Sequence, residues 1–245
     1  VGGDFKLGFC AIPKIDGMNK LSQVEGEIKI SNSIDVTEIS GFNQLTSVSE
    51  IKILSIDDLV HISGFSALPT IPKNLQLSGN DDLRTISGFQ ALQSIGEDLI
   101  LNYNSNLTDA SGLSNLITIG EDFILDHKDG NYSADPNHSS LPNFQSFSSL
   151  ETIGKGFIVG PNTSLVNFTG LENLTSIGTE SFADAADGFM MFTLYDISEE
   201  VAIMGLEILL SSSTVPGGTI ICSIHDTIDV NADDVNLQLE QTDVI

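Results

Sequence analysis

A five-residue pattern (Gly or Ser, apolar, two residues, Leu) opens seven copies of one repeat, at Gly17, Gly41, Gly64, Gly88, Gly112, Ser146 and Gly170. Successive starts lie 24 residues apart, except for one interval of 23 and one of 34. A period in the twenties leaves few options. Each unit is too short to bury its own apolar side chains, so it must stack on its neighbours as a solenoid. Solenoids act mainly through their outer surface, which argues for binding or structural work rather than a buried catalytic pocket.

The apolar positions say what kind of solenoid. In the copy at Gly88 they are Phe89, Leu92, Ile95, Leu99, Leu101 and Leu107, at positions 2, 5, 8, 12, 14 and 20. The copy at Gly64 adds Ile86 at position 23. Positions 12 and 14 alternate with period two, so they predict a short strand with two side chains inward and one outward. The spacing of three at 5 and 8, and again at 20 and 23, predicts short strands separated by corners, in a rod of about three sides. No stretch within a unit is long enough for a helix. Asn at position 17 (Asn80, Asn104, Asn162) is expected to turn a corner by bonding local backbone and tolerating left-handed dihedrals. The expected fold is all-β: a right-handed parallel β-helix of about seven turns of roughly 24 residues.

An ordinary leucine-rich repeat reads L-x-x-L-x-L-x-x-N-x-L. Here the landmarks Ile95, Leu99, Leu101, Asn104 and Leu107 have one residue added before the strand and one after the Asn. The phrases GLENLTSIG (Gly170–Gly178) and GFQALQSIGEDLIL (Gly88–Leu101) resemble the receptor L-domain, the leucine-rich right-handed β-helix of insulin and epidermal growth factor receptors. The resemblance spans roughly Gly17 to Thr193. It implies a scaffold and ligand contact on a broad sheet face. It does not imply a hormone receptor, since the cysteine-rich modules and kinase that accompany L-domains are not in this sequence.

One domain is expected over residues 1–245, with repeats over 17–193 and caps over 1–16 and 194–245. In the last copy the strand pair weakens to Ser181 and Ala183, while Phe189 and Phe192 hold positions 20 and 23. The spacing of Ile197, Val201, Met204 and Ile208 predicts a short helix over Ile197–Leu210, with Ser198 as N-cap. Thr219–Ile224 reads as a strand. Asp226–Ile245 reads as an edge strand or an acidic tail.

Charge excludes some partners. There are 34 acidic against 9 basic residues, a net charge of −25. Nucleic acid and anionic membranes are poor partners for such a surface. Cations or basic partners are favoured, although a salty or crowded medium selects the same balance. No apolar run reaches membrane-spanning length. The chain opens at Val1 without a charged-then-apolar leader, as expected if a signal peptide has been removed or the sequence cut from a longer one. Cys10 and Cys222 sit near opposite ends, roughly 30 Å apart in a rod rising about 4.8 Å per turn. They are expected not to be bonded to each other.

Candidate sites follow from the register. The outward residue between positions 12 and 14 forms a column: Lys29, Lys52, Gln76, Ile100, Ile124, Ile158 and, by register, Phe182. Acids flank its second half at Glu97, Asp98, Glu121, Asp122 and Asp126. A contiguous apolar stripe rimmed by charge marks a contact site. Outward Ile is also explained by β-propensity alone, and both readings stand at this point. The ten extra residues between the fifth and sixth copies fall in Asp126–Pro142. There Asp129, Asn131, Ser133 and Asp135 alternate as calcium-loop oxygen ligands do. Gly is missing at the sixth loop position, and Ser140 stands where Glu belongs at the twelfth. His127 and His138 lack zinc-ligand spacing. Asp229, Asn231, Asp233 and Glu240 form a second partial calcium pattern. No other cofactor is expected. Six sequons (Asn106, Asn131, Asn137, Asn162, Asn167, Asn173) are usable only on a eukaryotic secretory route. No hydrolase, zinc-protease, Walker or redox motif occurs, so an enzyme is not expected.

The reading that follows is an extracellular or cell-surface recognition or adhesion protein, holding a protein or glycan on its flat sheet. A cell-wall or envelope component without a ligand is the alternative. A carbohydrate-active β-helix enzyme comes third.

Overall fold

The computed structural model describes residues 2–125, 140–159 and 164–178, with the backbone of Met190–Thr193, Leu206–Ile208 and Ile221–Cys222. The described chain winds into a parallel β-solenoid with three strand-bearing sides. Position 13 of the repeat lies in the main sheet. Its parallel strands are Phe5–Gly8, Glu27–Ser31, Glu50–Leu54, Leu75–Ser78, Leu99–Leu101, Phe123–Leu125 and Phe157–Val159. Seven parallel strands make about six turns, slightly fewer than the count of repeats implies.

Residues at position 8 form a second sheet, Thr70–Ile71 through Ser176–Ile177. Residues at position 23 form a third, Lys14–Ile15 through Thr85–Ile86. The third sheet stops for a reason written three residues before each repeat opens. Glu38, His61 and Thr85 leave the chain extended there. Asp109 and Asn143 instead accept the backbone N–H two residues on, from Ser111 at 2.8 Å and Gln145 at 3.0 Å. Such Asx turns draw the chain into the 3-10 turns Ser111–Leu113 and Gln145–Phe147.

The core is continuous along the axis. Ile28, Ile51, Leu75, Leu99 and Phe123 stack at one inward position of the main sheet, Ile30, Ile53, Leu77, Leu101 and Leu125 at the other, and all are fully buried. Phe42, Phe65 and Phe89, at position 2, stack face to face with ring centroids 5.0 Å apart. Each such side chain contributes about 1.5–3 kcal/mol by leaving water.

Glycine fixes the coil spacing. A Cβ on Gly64, Gly88 or Gly112 would overlap the carbonyl oxygen of the glycine one coil back, and so would one on Gly120, Gly154 or Gly178. These two glycine columns, at positions 1 and 9, let neighbouring coils approach at corners where any side chain would hold them apart.

Several expectations change. Ahead of the first repeat the chain forms a coil of its own: Phe5–Gly8 pairs with Ile28–Ser31, and Lys14–Ile15 with Glu38–Ile39. The helix expected over 197–210 gives way at Leu206–Ile208 to a strand, antiparallel to both Met190–Thr193 and Ile221–Cys222. The rest of that segment lies outside the described residues. Phe192 stands opposite Phe157 in the sheet rather than at position 23 of the last copy. The reversal to antiparallel pairing ends the stack of parallel coils. Ile221–Cys222 is a strand, within the segment that reads as one in sequence.

The corner before position 17 also differs. The left-handed residue is the one ahead of the Asn: Phe9, Asn32, Ser55, Gly79 and Tyr103 take φ of 50–67° at this corner in five successive coils. The Asn itself reaches across coils. Asn80 and Asn104 are fully buried. Asn104 Nδ2 donates to the Leu77 carbonyl at 2.8 Å, and Asn80 Oδ1 accepts from the Ile56 N–H at 3.2 Å. A buried corner carbonyl or amide needs such a partner, and the side-chain amide supplies both donor and acceptor.

Candidate functional site

The outward column exists as a register. Lys29 pairs with Lys52, Lys52 with Gln76, Gln76 with Ile100, Ile100 with Ile124, and Ile124 with Ile158. Two features were missed in sequence. Lys6 heads the column, in register with Lys29. The signal was present, since F-K-L at Phe5 precedes I-K-I at Ile28 by the same interval that separates that string from I-K-I at Ile51. At the other end Ile158 is buried, with only 6 % of its surface exposed, so it offers no contact area. Its further neighbour is Met191, not Phe182, which lies outside the described residues. The half-exposed column therefore runs from Lys29 to Ile124, with the more exposed Lys6 above it.

Two lysines of the cationic half, Lys6 and Lys52, are paired internally. Lys6 Nζ lies 2.8 Å from both Asp4 and Glu27, and Lys52 Nζ 2.9 Å from Glu50. Hydrogen bonds donated to Asp4 and then Glu27 hold the Lys6 ammonium above its ordinary range, and the Lys6 bond holds Asp4 below its own. Burial pushes Glu50 up, but bonds from Asn74 and Lys52 outweigh it, so its carboxyl stays below the usual value. Lys29, between the two, makes no ion pair with a described residue.

Beside the column runs a polar ladder. Asn74 Oδ1 accepts the Asp98 N–H at 2.9 Å, Asp98 Oδ1 that of Asp122 at 3.0 Å, and Asp122 Oδ1 that of Gly156 at 2.7 Å. Asp4 does the same for Glu27 at 3.1 Å. From Asn74 onward each coil thus offers a side-chain oxygen to the backbone of the next, just before the strand. This explains the acids at Asp98 and Asp122 without a ligand. Burial raises Asp98 above the ordinary carboxylate range; the Asp122 N–H opposes this, and the Asp122 and Glu121 charges add to it. Glu121 is also paired with Lys155 at 3.1 Å. The geometry therefore presents a half-exposed apolar strip, Ile100 and Ile124, between a paired Lys–Glu block and an acidic ladder.

The remaining candidates divide by location. Asp129, Asn131, Ser133 and Asp135, together with His127, His138, Asp229, Asn231, Asp233 and Glu240, lie outside the described residues. Among the described residues no three His, Cys, Asp or Glu side chains converge as a metal site would require. Sequon residues Asn106, Asn167 and Asn173 are exposed, and Asn131, Asn137 and Asn162 lie outside. Two of the exposed three use their amide nitrogen internally: Asn106 donates to the Asp81 carbonyl at 2.9 Å and Asn173 to that of Ser148 at 2.7 Å. Cys10 is a free thiol, its Sγ donating to the Gly8 carbonyl at 3.4 Å. No helix among the described residues is long and apolar enough to cross a membrane.

No family model, no curated protein and no solved structure matches this chain.

Proposed function

We propose that this chain is a recognition or adhesion protein of the extracellular space or cell surface, binding a protein or glycan on the outer face of its main sheet. One observation carries the reading: Ile100 and Ile124 stand side by side, half-exposed, on a rigid parallel sheet between polar ladders. Apolar area fixed in register on a stiff scaffold needs no ordering on binding, which is what a contact surface requires. The location rests on the resemblance to receptor L-domains and on exposed sequons such as Asn167.

A second reading has its own support. Lys6 and Lys52 are already satisfied by Asp4, Glu27 and Glu50. A sheet face whose lysines Lys6 and Lys52 are already held by acids of the same chain suits a cell-wall or envelope component that needs only rigidity and solubility.

An array of extracellular glycans and immobilised surface proteins, probed with the native chain and with Ile124→Asp, separates the two. Recognition requires binding that Ile124→Asp abolishes while the unfolding temperature stays within a degree or two. Binding that survives Ile124→Asp removes the sheet-face site, and a blank array favours the structural role.

A further inference from the structure

We propose that two copies of this chain associate end to end, joining their main sheets through the Phe5–Gly8 edge strand in antiparallel register about Phe5. Among the described residues nothing pairs with the outer side of this strand, which begins the order of the main sheet. Its inward side chains, Phe5 and Leu7, are only partly buried against the core, whereas their counterparts Ile28 and Ile30 in the next coil are fully buried. Large exposed apolar side chains gather at the same end: Phe9, Ile12, Met18 and Ile34, the first of them 85 % exposed.

Two properties of the charge select a second copy as the occupant. The first is distribution. Residues 1–29 hold four lysines (Lys6, Lys14, Lys20, Lys29) and four acids (Asp4, Asp16, Glu25, Glu27), so the whole net charge of −25 lies further along the chain. The neutral, apolar end is where two acidic rods meet with least repulsion. The second is self-complementarity. An edge lysine ordinarily guards a strand against pairing. Antiparallel pairing about Phe5 sets Lys6 of each copy opposite Asp4 of the other, on the outer face, and brings the two Phe5 rings together on the inner face. Opposite charges directly across a strand pair favour that register, and a one-residue slip in the pairing sum would lose it.

Sedimentation equilibrium of the full chain over a micromolar to high-micromolar range tests this. The native chain should populate a dimer. Asp4→Lys and Lys6→Glu should each weaken it by roughly tenfold or more, since each reversal places like charges across two symmetric contacts. An equimolar mixture of the Asp4→Lys and Lys6→Glu chains should restore it as a heterodimer, in which a charge swap sets a lysine opposite an acid at both contacts again. Lys155→Glu, the same change of net charge far from this end, should leave it intact. Hydrogen exchange on the same samples should show Phe5–Gly8 amides gaining protection as concentration rises. A chain that stays monomeric throughout overturns the proposal. So does a dimer weakened equally by Lys6→Glu and Lys155→Glu, or one that the charge swap fails to restore.

Discussion

The side-chain oxygen Oδ1 of Asn104 accepts the backbone N–H of Asn80, one coil away, across 3.2 Å, and both residues are fully buried. The same oxygen lies 3.3 Å from the Asn80 amide nitrogen, and Asn80 in turn donates to the Ile53 carbonyl at 3.1 Å. Two side chains thus carry the polar load of a corner that lies inside the apolar rod.

Truncating Asn104 to Ala should therefore cost more than a lost surface bond. It strips the Asn80 N–H and the Leu77 carbonyl of their partners in a dry site, at about 1–3 kcal/mol for each unsatisfied group. Denaturant unfolding should show a loss of about 2–4 kcal/mol. Asn104→Asp should be no better, because a carboxylate cannot donate to Leu77.

The two glycine columns make a paired expectation. Gly120→Ala forces a methyl into the Gly96 carbonyl, backbone against backbone, and should cost about 3 kcal/mol or more in thermal or denaturant unfolding. Gly17 opens the first copy of the repeat, yet a Cβ there meets nothing within 4 Å. Gly17→Ala should stay within about 0.5 kcal/mol of the native chain. Equal effects at the two positions would mean that the coils do not approach as described.

Asp98 gives a pH test. Its folded value is raised above the ordinary aspartate value of 3.8, with burial the largest cause. Between those two values the folded chain holds the proton more tightly than the unfolded one. Stability from this group therefore falls as pH rises through that window, and the penalty is complete above it. Asp98→Asn keeps an oxygen for the Asp122 N–H, as Asn74 does one coil earlier. The variant should gain about 0.5 kcal/mol at neutral pH, the scale of one like-charge pair across a sheet. The gain should vanish below the ordinary aspartate value. Urea unfolding of both proteins at acid and neutral pH reads the difference.

Much of the architecture was legible because a repeat multiplies weak signals. Alternation at Leu99 and Leu101 alone predicts any short strand. The same alternation at Leu75 and Leu77 one period earlier predicts which strand lies beside it, and the register Leu75–Leu99–Phe123 follows. What failed lay where the period fails. Met190–Thr193 pairs antiparallel with Phe157–Val159, and no repeat count foretells a reversal. The spacing of Val201, Met204 and Ile208 suits a helix, yet Leu206–Ile208 is drawn into the sheet, where an open edge outweighs local periodicity. The candidate column was correct in register and incomplete in exposure. Whether Ile158 is covered depends on residues distant in sequence, which a pattern of outward positions does not contain.

The most direct test of the closed stack is contact between side chains one period apart. Leu75, Leu99 and Phe123 occupy consecutive coils at the same inward position and are fully buried. With methyl and aromatic labelling, nuclear Overhauser spectra should connect the Leu99 methyls to both the Leu75 methyls and the Phe123 ring, across neighbouring strands about 4.8 Å apart. Finding the Leu99 methyls close only to residues within their own repeat, with neither Leu75 nor Phe123 in reach, would contradict the rod and everything placed upon it.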